Sequence, residues 1–552
     1  MVFWKKLWVS VPCTTFRLRD NNLLATLLVG LLAAQCRNLI EVRAAEREGR
    51  KGPRKLSFYS YHTGLNIALF PVIFFFSALY YTDVISTLFV LMAYRNHLSR
   101  LLPQRPNVFH DIWTVVLGVL ALLMRQTNVF WVVVYMGGLE AVHVLRGAKP
   151  GGQGHLAQLH DPPFRRSGLQ GTSLDLDEFG TANRVDWLFC ALSIAVTALR
   201  NPVRVLRQIW PHLTILALFG GFVAWNGGVV LGMSHPNRFI SPLPTDNRPG
   251  DKSNHIATIH SAQMLYIWPL FAFFSAPLLI PSFISALTRP VRYLRSLLLI
   301  QTRLAALFSL PYILLTILLS FAVVKYNTII HPFTLADNRH YMFYVFRYTI
   351  LRSPIIRLSL VPIYTLCRWL VWDQLAGTSH TTSTATLTEI KDKPTTVPDA
   401  TDHQPDATAK AKPSLALLDE DGFSSTSPPT STALIWLLTT TLSLVTAPLV
   451  EPRYFILPWV FYRLLLPSWS VTSSLGHGKT ATAAPGGGDG GKGWVAWLWK
   501  VGRNIDVRLV LETVWFLVVN VWTMYMFLYK PFYWYHEDGR LLDGGRLQRF
   551  MW

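Results

Sequence analysis

The stretch His331-Pro-Phe-Thr-Leu-Ala-Asp-Asn-Arg-His-Tyr341 sets Asp337, Asn338, Arg339 and His340 side by side between two apolar runs. Ionisable groups at a membrane boundary lose water, so they persist where they bind a polar substrate or pair with one another. A carboxylate, an amide and two potential cations in four consecutive positions suit contact with a phosphate or a sugar. The same residue types also suit a loop held by an ion pair, and spacing alone leaves both readings open. Four further polar motifs sit at the ends of apolar runs: Tyr80-Tyr81-Thr82-Asp83, Arg125-Gln126-Thr127-Asn128, the region from Asn226 to His260 containing Asp251 and His255, and Glu451-Pro452-Arg453-Tyr454. Asn128 and Asn226 fit helix caps as well as sugar contacts, and Tyr80 and Tyr81 fit an aromatic belt as well as a sugar platform.

The rest of the chain must position these motifs. Of 552 residues, 51% are hydrophobic and only 15% charged, a balance that suits repeated membrane spans. Mean hydropathy is +0.30. A net charge of +20 raises the question of nucleic acid, but the basic residues fall in short clusters beside apolar runs, with no zinc-finger, helix-turn-helix or RNA-binding signature. Cys13, Cys36, Cys190 and Cys367 are scattered, with neither metal-ligand spacing nor a disulfide pattern, and no metal is expected. Apolar runs fall near residues 22–40, 63–80, 84–94, 108–123, 129–145, 209–231, 263–287, 304–324, 354–373, 433–450, 454–470 and 508–529. They predict an all-α polytopic membrane protein with about 11–12 spans. The run from Val185 to Leu199, followed by Arg200, Arg204 and Arg207, reads as lying in the interface.

Charge sets the orientation. Arg43, Arg47, Arg50, Lys51, Arg54 and Lys55 mark one loop as cytoplasmic by the positive-inside rule, and alternation then places all five polar motifs on the opposite face. Two stretches stand apart. Gly377 to Thr432, rich in Thr, Ser, Pro, Ala and Asp, has too little apolar surface to fold, and the glycine-rich segment around 473–503 is similar. Gly476-His477-Gly478-Lys479-Thr480 lacks the first glycine of a phosphate-binding loop and follows no strand. The expected organisation is a membrane domain over 1–376, a cytoplasmic loop over 377–432, membrane helices over 433–472, a flexible loop over 473–503, and a last helix with its tail over 504–552.

Taken together, Tyr80 to Asp83, Met124 to Asn128, Trp225-Asn226-Gly227-Gly228, Leu335 to Tyr341, Arg453-Tyr454-Phe455-Ile456-Leu457-Pro458 and Gln548-Arg549-Phe550-Met551-Trp552 resemble the dolichyl-phosphate-glucose α-1,2-glucosyltransferase family. That family adds the third glucose to the diglucosylated lipid-linked oligosaccharide of N-glycosylation. The matches run in family order from about residue 14 to the final residue. The resemblance implies a GT-C membrane glycosyltransferase of the endoplasmic reticulum with lumenal motif loops. Its partners would be dolichyl phosphate glucose, the dolichyl-diphosphate-linked oligosaccharide and membrane lipid, with no cofactor and no nucleic acid. Two departures stand out. The Asp-Glu motif of the family's first lumenal loop has no counterpart here, which suggests a chain that starts beyond it. Residues 233–250 form an insertion between Gly232 and Asp251.

A β-linked donor and an α-linked product imply one inverting displacement, with a carboxylate as base and cations to stabilise the departing phosphate. With the first-loop acids absent, the candidate bases are Asp83, Asp251, Asp337 and Glu451. Candidate substrate contacts are Arg125, Gln126, Asn128, Asn226, His255, Asn338, Arg339, His340, Tyr341 and Arg453, since guanidinium matches phosphate oxygens bidentately. The rival readings are an inactive, truncated family member or a membrane scaffold. A secondary transporter fits poorly, because the polar motifs lie at span ends rather than in broken helices at the midplane.

Overall fold

The computed structural model describes residues 14–47, 56–101, 108–146, 184–229, 258–280, 282, 287, 303–331, 334–335, 338–377, 427–447, 449–468, 506–535, 540–541 and 543–552. Fifteen α-helices form the described fold: α1 Thr15–Arg47, α2 Phe58–Leu69, α3 Pro71–Ser77, α4 Thr82–Arg100, α5 Val108–Met124, α6 Gly137–Arg146, α7 Arg184–Arg200, α8 Pro202–Asn226, α9 Gln263–Phe274, α10 Arg303–Tyr326, α11 Tyr341–Val345, α12 Pro354–Ala376, α13 Thr430–Val445, α14 Ile456–Leu465 and α15 Val507–Tyr529. π-Helical turns cover Phe130–Met136 ahead of α6 and Phe346–Ile350 after α11. The expected insertion over 233–250 lies outside the described residues, as do nearly all of 377–432 and 473–503.

Each of the twelve apolar runs carries helix. The helix starts follow local chemistry: Ser57, Ser353 and Asp506 accept from backbone N–H groups in the first turns of α2, α12 and α15, and proline opens α3, α8 and α12. Gly227 ends α8 in the left-handed region, at φ +66°. Length and hydropathy alone give four helices able to cross a membrane, within α1, α8, α12 and α15; α3 with α4 adds a fifth as a pair bent by 118°. The other runs form shorter helices, a departure from a plain series of full-length spans. Broken helices of this kind are tolerated where the freed backbone is buried in protein. The ten-residue α14, about 15 Å long, shows why: Ile456, Trp459, Val460, Phe461, Tyr462, Arg463 and Leu464 are all buried, so it runs through the bundle rather than along lipid.

Aromatic stacking holds that centre. The Phe70 and Trp459 rings lie 3.8 Å apart and nearly parallel, and Trp131 stacks on Phe461 at 4.6 Å. Helices α1 and α2 approach so closely that a Cβ on Gly64 would collide with the Gly30 carbonyl, the small-residue contact usual between membrane helices. Buried charges tie one end of the bundle. Arg463 makes a bidentate pair with Glu512 of α15 at 2.8 Å, Asn66 of α2 donates to Glu512 at 2.6 Å, and Arg37 of α1 bonds Glu41 and the Leu464 carbonyl. Also toward that end, Glu140 of α6 accepts from Arg100 of α4 at 2.7 Å, and approaches His97 of α4 at 3.1 Å and His212 of α8 at 3.3 Å. The ligand atoms of His97, Glu140 and His212 lie within 4.8 Å of one another. With Arg100 and Gln208 already on its carboxylate, Glu140 acts as a polar tie between three helices.

Candidate active site

The polar motifs gather at the opposite end, and their first fixed point is the turn between α3 and α4. Asn22 of α1, fully buried, donates from Nδ2 to the Leu79 and Tyr81 carbonyls at 2.5 and 2.9 Å. That pins the 118° bend and sets Asp83 in the first turn of α4, where the helix dipole favours a carboxylate. Arg125, just past the end of α5, reaches it: Nη2 lies 2.6 Å from Asp83 Oδ1. The Asp83 side chain is 2% exposed, and its second oxygen, Oδ2, is buried without a hydrogen-bond partner. Asn128 builds the turn carrying Arg125, donating to the Ala121 carbonyl at 2.7 Å and to Ser86 Oγ at 2.8 Å. Gln126 beside it is partly exposed and makes no side-chain hydrogen bond among the described residues.

Glu451, Arg453 and Tyr454 complete the cluster from the short 3₁₀ turn Pro452–Phe455 that opens into α14. Glu451 Oε2 accepts from Arg453 Nε. The Arg125 and Arg453 guanidiniums each lie 5.5 Å from the Tyr454 ring centroid, and Arg453 also lies 5.9 Å from the Tyr81 ring. Both guanidiniums therefore lie over the Tyr454 ring, which offers each a cation–π contact. Burial alone would favour loss of the Arg453 proton, but Glu451, Tyr454 and Asp83 outweigh it and hold the pKa above the ordinary arginine value. Two carboxylates and two guanidiniums from three separate motifs thus share one site. Arg125 is 20% and Arg453 26% exposed in the side chain, so both can meet a ligand.

The His331 to Tyr341 motif has a different neighbour. The Met551 N–H donates to the Arg339 carbonyl at 2.9 Å, the Tyr341 N–H donates to the Met551 carbonyl at 3.1 Å, and His340 Nδ1 lies 2.8 Å from the Trp552 main-chain oxygen. Arg339 Nη1 donates to Gln548 Oε1 at 3.3 Å, and the Tyr341 ring stacks on Phe550 at 6.4 Å. The tail itself is folded back by a two-stranded pairing of Phe532–Tyr533 with Leu547–Gln548. Arg549 caps α15 by donating to the Phe527 and Leu528 carbonyls. Arg339, His340 and Tyr341 thus dock the C-terminal motif. Asn338 is partly buried, and Asn226 donates to the Gly228 carbonyl at 2.9 Å, holding the end of α8. Asp337, Asp251 and His255 lie outside the described residues.

Asn22, Gln263 and Asn327 contribute without belonging to a motif. Asn22 heads an apolar run, and a buried amide there was the available signal. Gln263 of α9 donates to the Ala447 and Leu449 carbonyls ahead of Glu451. The His260 N–H donates to the Val445 carbonyl at 2.9 Å, and Asn327 Oδ1 accepts from the Ser261 N–H at 2.6 Å, so this junction joins α9, α10 and α13 at the same end.

A helical membrane bundle with one such polar end, and an acid–guanidinium cluster within it, is the plan of a polytopic enzyme acting on charged, lipid-borne groups. The chain belongs to the DIE2/ALG10 family, whose model matches residues 1–464. Among its relatives are the Dol-P-Glc:Glc(2)Man(9)GlcNAc(2)-PP-Dol alpha-1,2-glucosyltransferases of Neurospora crassa, 45% identical across 100% of this chain and 86% of that protein, and of Pyricularia oryzae, 42% identical across 97% and 79%. The Gibberella zeae enzyme of the same name is 41% identical across 99% of this chain and 83% of that protein. No solved structure matches the chain.

Proposed function

We propose that this protein transfers glucose from dolichyl phosphate glucose, in α-1,2 linkage, to the diglucosylated dolichyl-diphosphate oligosaccharide, at the lumenal face of the endoplasmic-reticulum membrane. The observation that carries this reading is the Asp83, Arg125, Glu451 and Arg453 cluster around Tyr454, at one end of the bundle of a protein whose relatives bear that name. The reaction is a single displacement. The acceptor 2-hydroxyl oxygen forms a bond to the anomeric carbon as the anomeric C–O bond to phosphate breaks, and the hydroxyl proton passes to a carboxylate. The electron pair of the broken bond leaves on dolichyl phosphate. Arg125 and Arg453 are the described cations able to stabilise that charge, and a charge-assisted hydrogen bond contributes ~1.5–3 kcal/mol. Asp83 and Glu451 are the carboxylates within reach of the same space. No cofactor is needed for this chemistry.

The test is the glucose count of the lipid-linked oligosaccharide in cells lacking their own enzyme and expressing this chain. Three glucoses are expected; persistence of the diglucosylated species at normal protein level would refute the reading.

A further inference from the structure

The segment from Asn338 to Trp372 contains five arginines, Arg339, Arg347, Arg352, Arg357 and Arg368, and no Asp or Glu. Its first part, from the motif loop through α11 to the start of α12, joins the motif-end terminus of α10 to that of α12. Arginine is disfavoured in non-cytoplasmic loops, so a run of it with no acid inside the segment suits an anionic ligand. Arg339 is taken up by Gln548, and Arg347 lies over the Phe343 ring at 5.6 Å. Arg357 has no carboxylate partner among the described residues. It stands one turn inside α12, partly buried, with Nε buried and without a hydrogen-bond partner. Helix α12 meets α9 and α10 around Val324, Val361 and Tyr364, within two turns of Arg357. Ile355, two residues earlier and on the opposite face of α12, is 79% exposed, so that face is open to lipid.

A partly buried guanidinium whose Nε has no partner among the described residues is costly at a membrane boundary unless an anion meets it. We propose that Arg357, with Arg347 and Arg352 earlier in the same acid-free segment, binds the diphosphate of an isoprenoid-linked substrate, a second anionic site besides the Arg125 and Arg453 cluster. The assignment rests on the proposed transfer reaction, which uses two lipid substrates of unequal charge. A donor phosphodiester carries one negative charge and suits Arg125 and Arg453, whose carboxylate partners already offset part of their charge. The acceptor diphosphate carries two and suits a stretch of arginines with no acids. The isoprenoid chain would then run over the lipid-facing side of α12.

The purified full chain in detergent is melted with farnesyl diphosphate, farnesyl phosphate, farnesol or inorganic diphosphate. Farnesyl diphosphate should stabilise the protein more than the other three, and Arg357→Gln should weaken that effect at least about tenfold in the concentration required, the scale of one lost charge-assisted bond. Arg357→Lys, which keeps the charge and guards against a folding failure, should weaken it less. An unchanged response in both variants overturns the site. Equal stabilisation by inorganic diphosphate overturns its lipid character, and a stronger response to farnesyl phosphate, lost with Arg357, assigns it to the donor instead. Because melting does not depend on turnover, the site can stand even where glucose transfer fails.

Discussion

Removing Arg125 should do two separable kinds of damage. Arg125→Met strands the Asp83 carboxylate, which is 2% exposed and has lost its 2.6 Å partner. Breaking a buried pair from one side costs ~3–5 kcal/mol. Arg453 nearby and the N-terminus of α4 offset part of this, so about 3 kcal/mol is expected. Asp83→Asn should cost only ~1 kcal/mol, because Arg125 is 20% exposed and still lies over Tyr454. The double variant should resemble Asp83→Asn, giving a coupling of about 3 kcal/mol, measured by detergent-induced unfolding in mixed micelles. Transfer behaves differently. With a phosphate contact gone, turnover per folded molecule should fall tenfold or more in Arg125→Met, and the double variant should not recover it. If the double variant regains transfer along with stability, Arg125 is a strut and the assignment to phosphate is wrong. If no coupling is found, the ion pair itself is wrong.

Three further outcomes follow from the same geometry. Tyr454→Leu should release two stacked guanidiniums, each interaction being worth ~0.5–2 kcal/mol, and lower transfer about tenfold, while Tyr454→Phe keeps most of it in the same glucose-count assay. Removing residues 548–552 should expose the Arg339 to Tyr341 segment, lowering the melting temperature and creating a new protease-sensitive site there, detectable by limited digestion. Glu140→Gln, at the far end of the bundle, should cost ~1.5–3 kcal/mol through weakened charge-assisted bonds, since Arg100 keeps its 2.7 Å pair with Asp111, yet leave transfer per folded molecule within about twofold.

What the sequence made legible was periodicity and polarity at the ends of runs. The twelve apolar runs all carry helix, because a chain in lipid has to satisfy its own backbone, and hydropathy reads that requirement directly. Length was less legible. Nothing in the run around residues 454–470 distinguishes a span from the ten-residue buried α14, since both are apolar; the distinction lies in what surrounds the helix. The gathering of the Asp83, Arg125 and Arg453 motifs at one end followed from charge bias and alternation. Which groups touch did not: Arg125 pairs with Asp83, 42 positions away, and not with an acid in its own motif. The Arg339 to Tyr341 motif and the terminal Gln548 to Trp552 motif were each visible, yet nothing in either showed that they pair, through main-chain bonds and the Arg339–Gln548 and Tyr341–Phe550 contacts.

The same geometry bears on how the site is built. Asp83 depends on Asn22 to hold its turn, Arg125 on Asn128, and the Glu451 turn is preceded by carbonyls that Gln263 ties to α9. Each cluster side chain therefore hangs on a neutral amide bonded to backbone carbonyls. Amides suit this place, since they satisfy carbonyls freed at helix breaks without adding charge that would compete for the phosphate. Ionic supports do appear, but at the far end, where Arg463 with Glu512 and Arg100 with Glu140 lock helices together. Partition of charge between the two ends lets the bundle be tied strongly at one and leaves Arg125 and Arg453 partly exposed at the other.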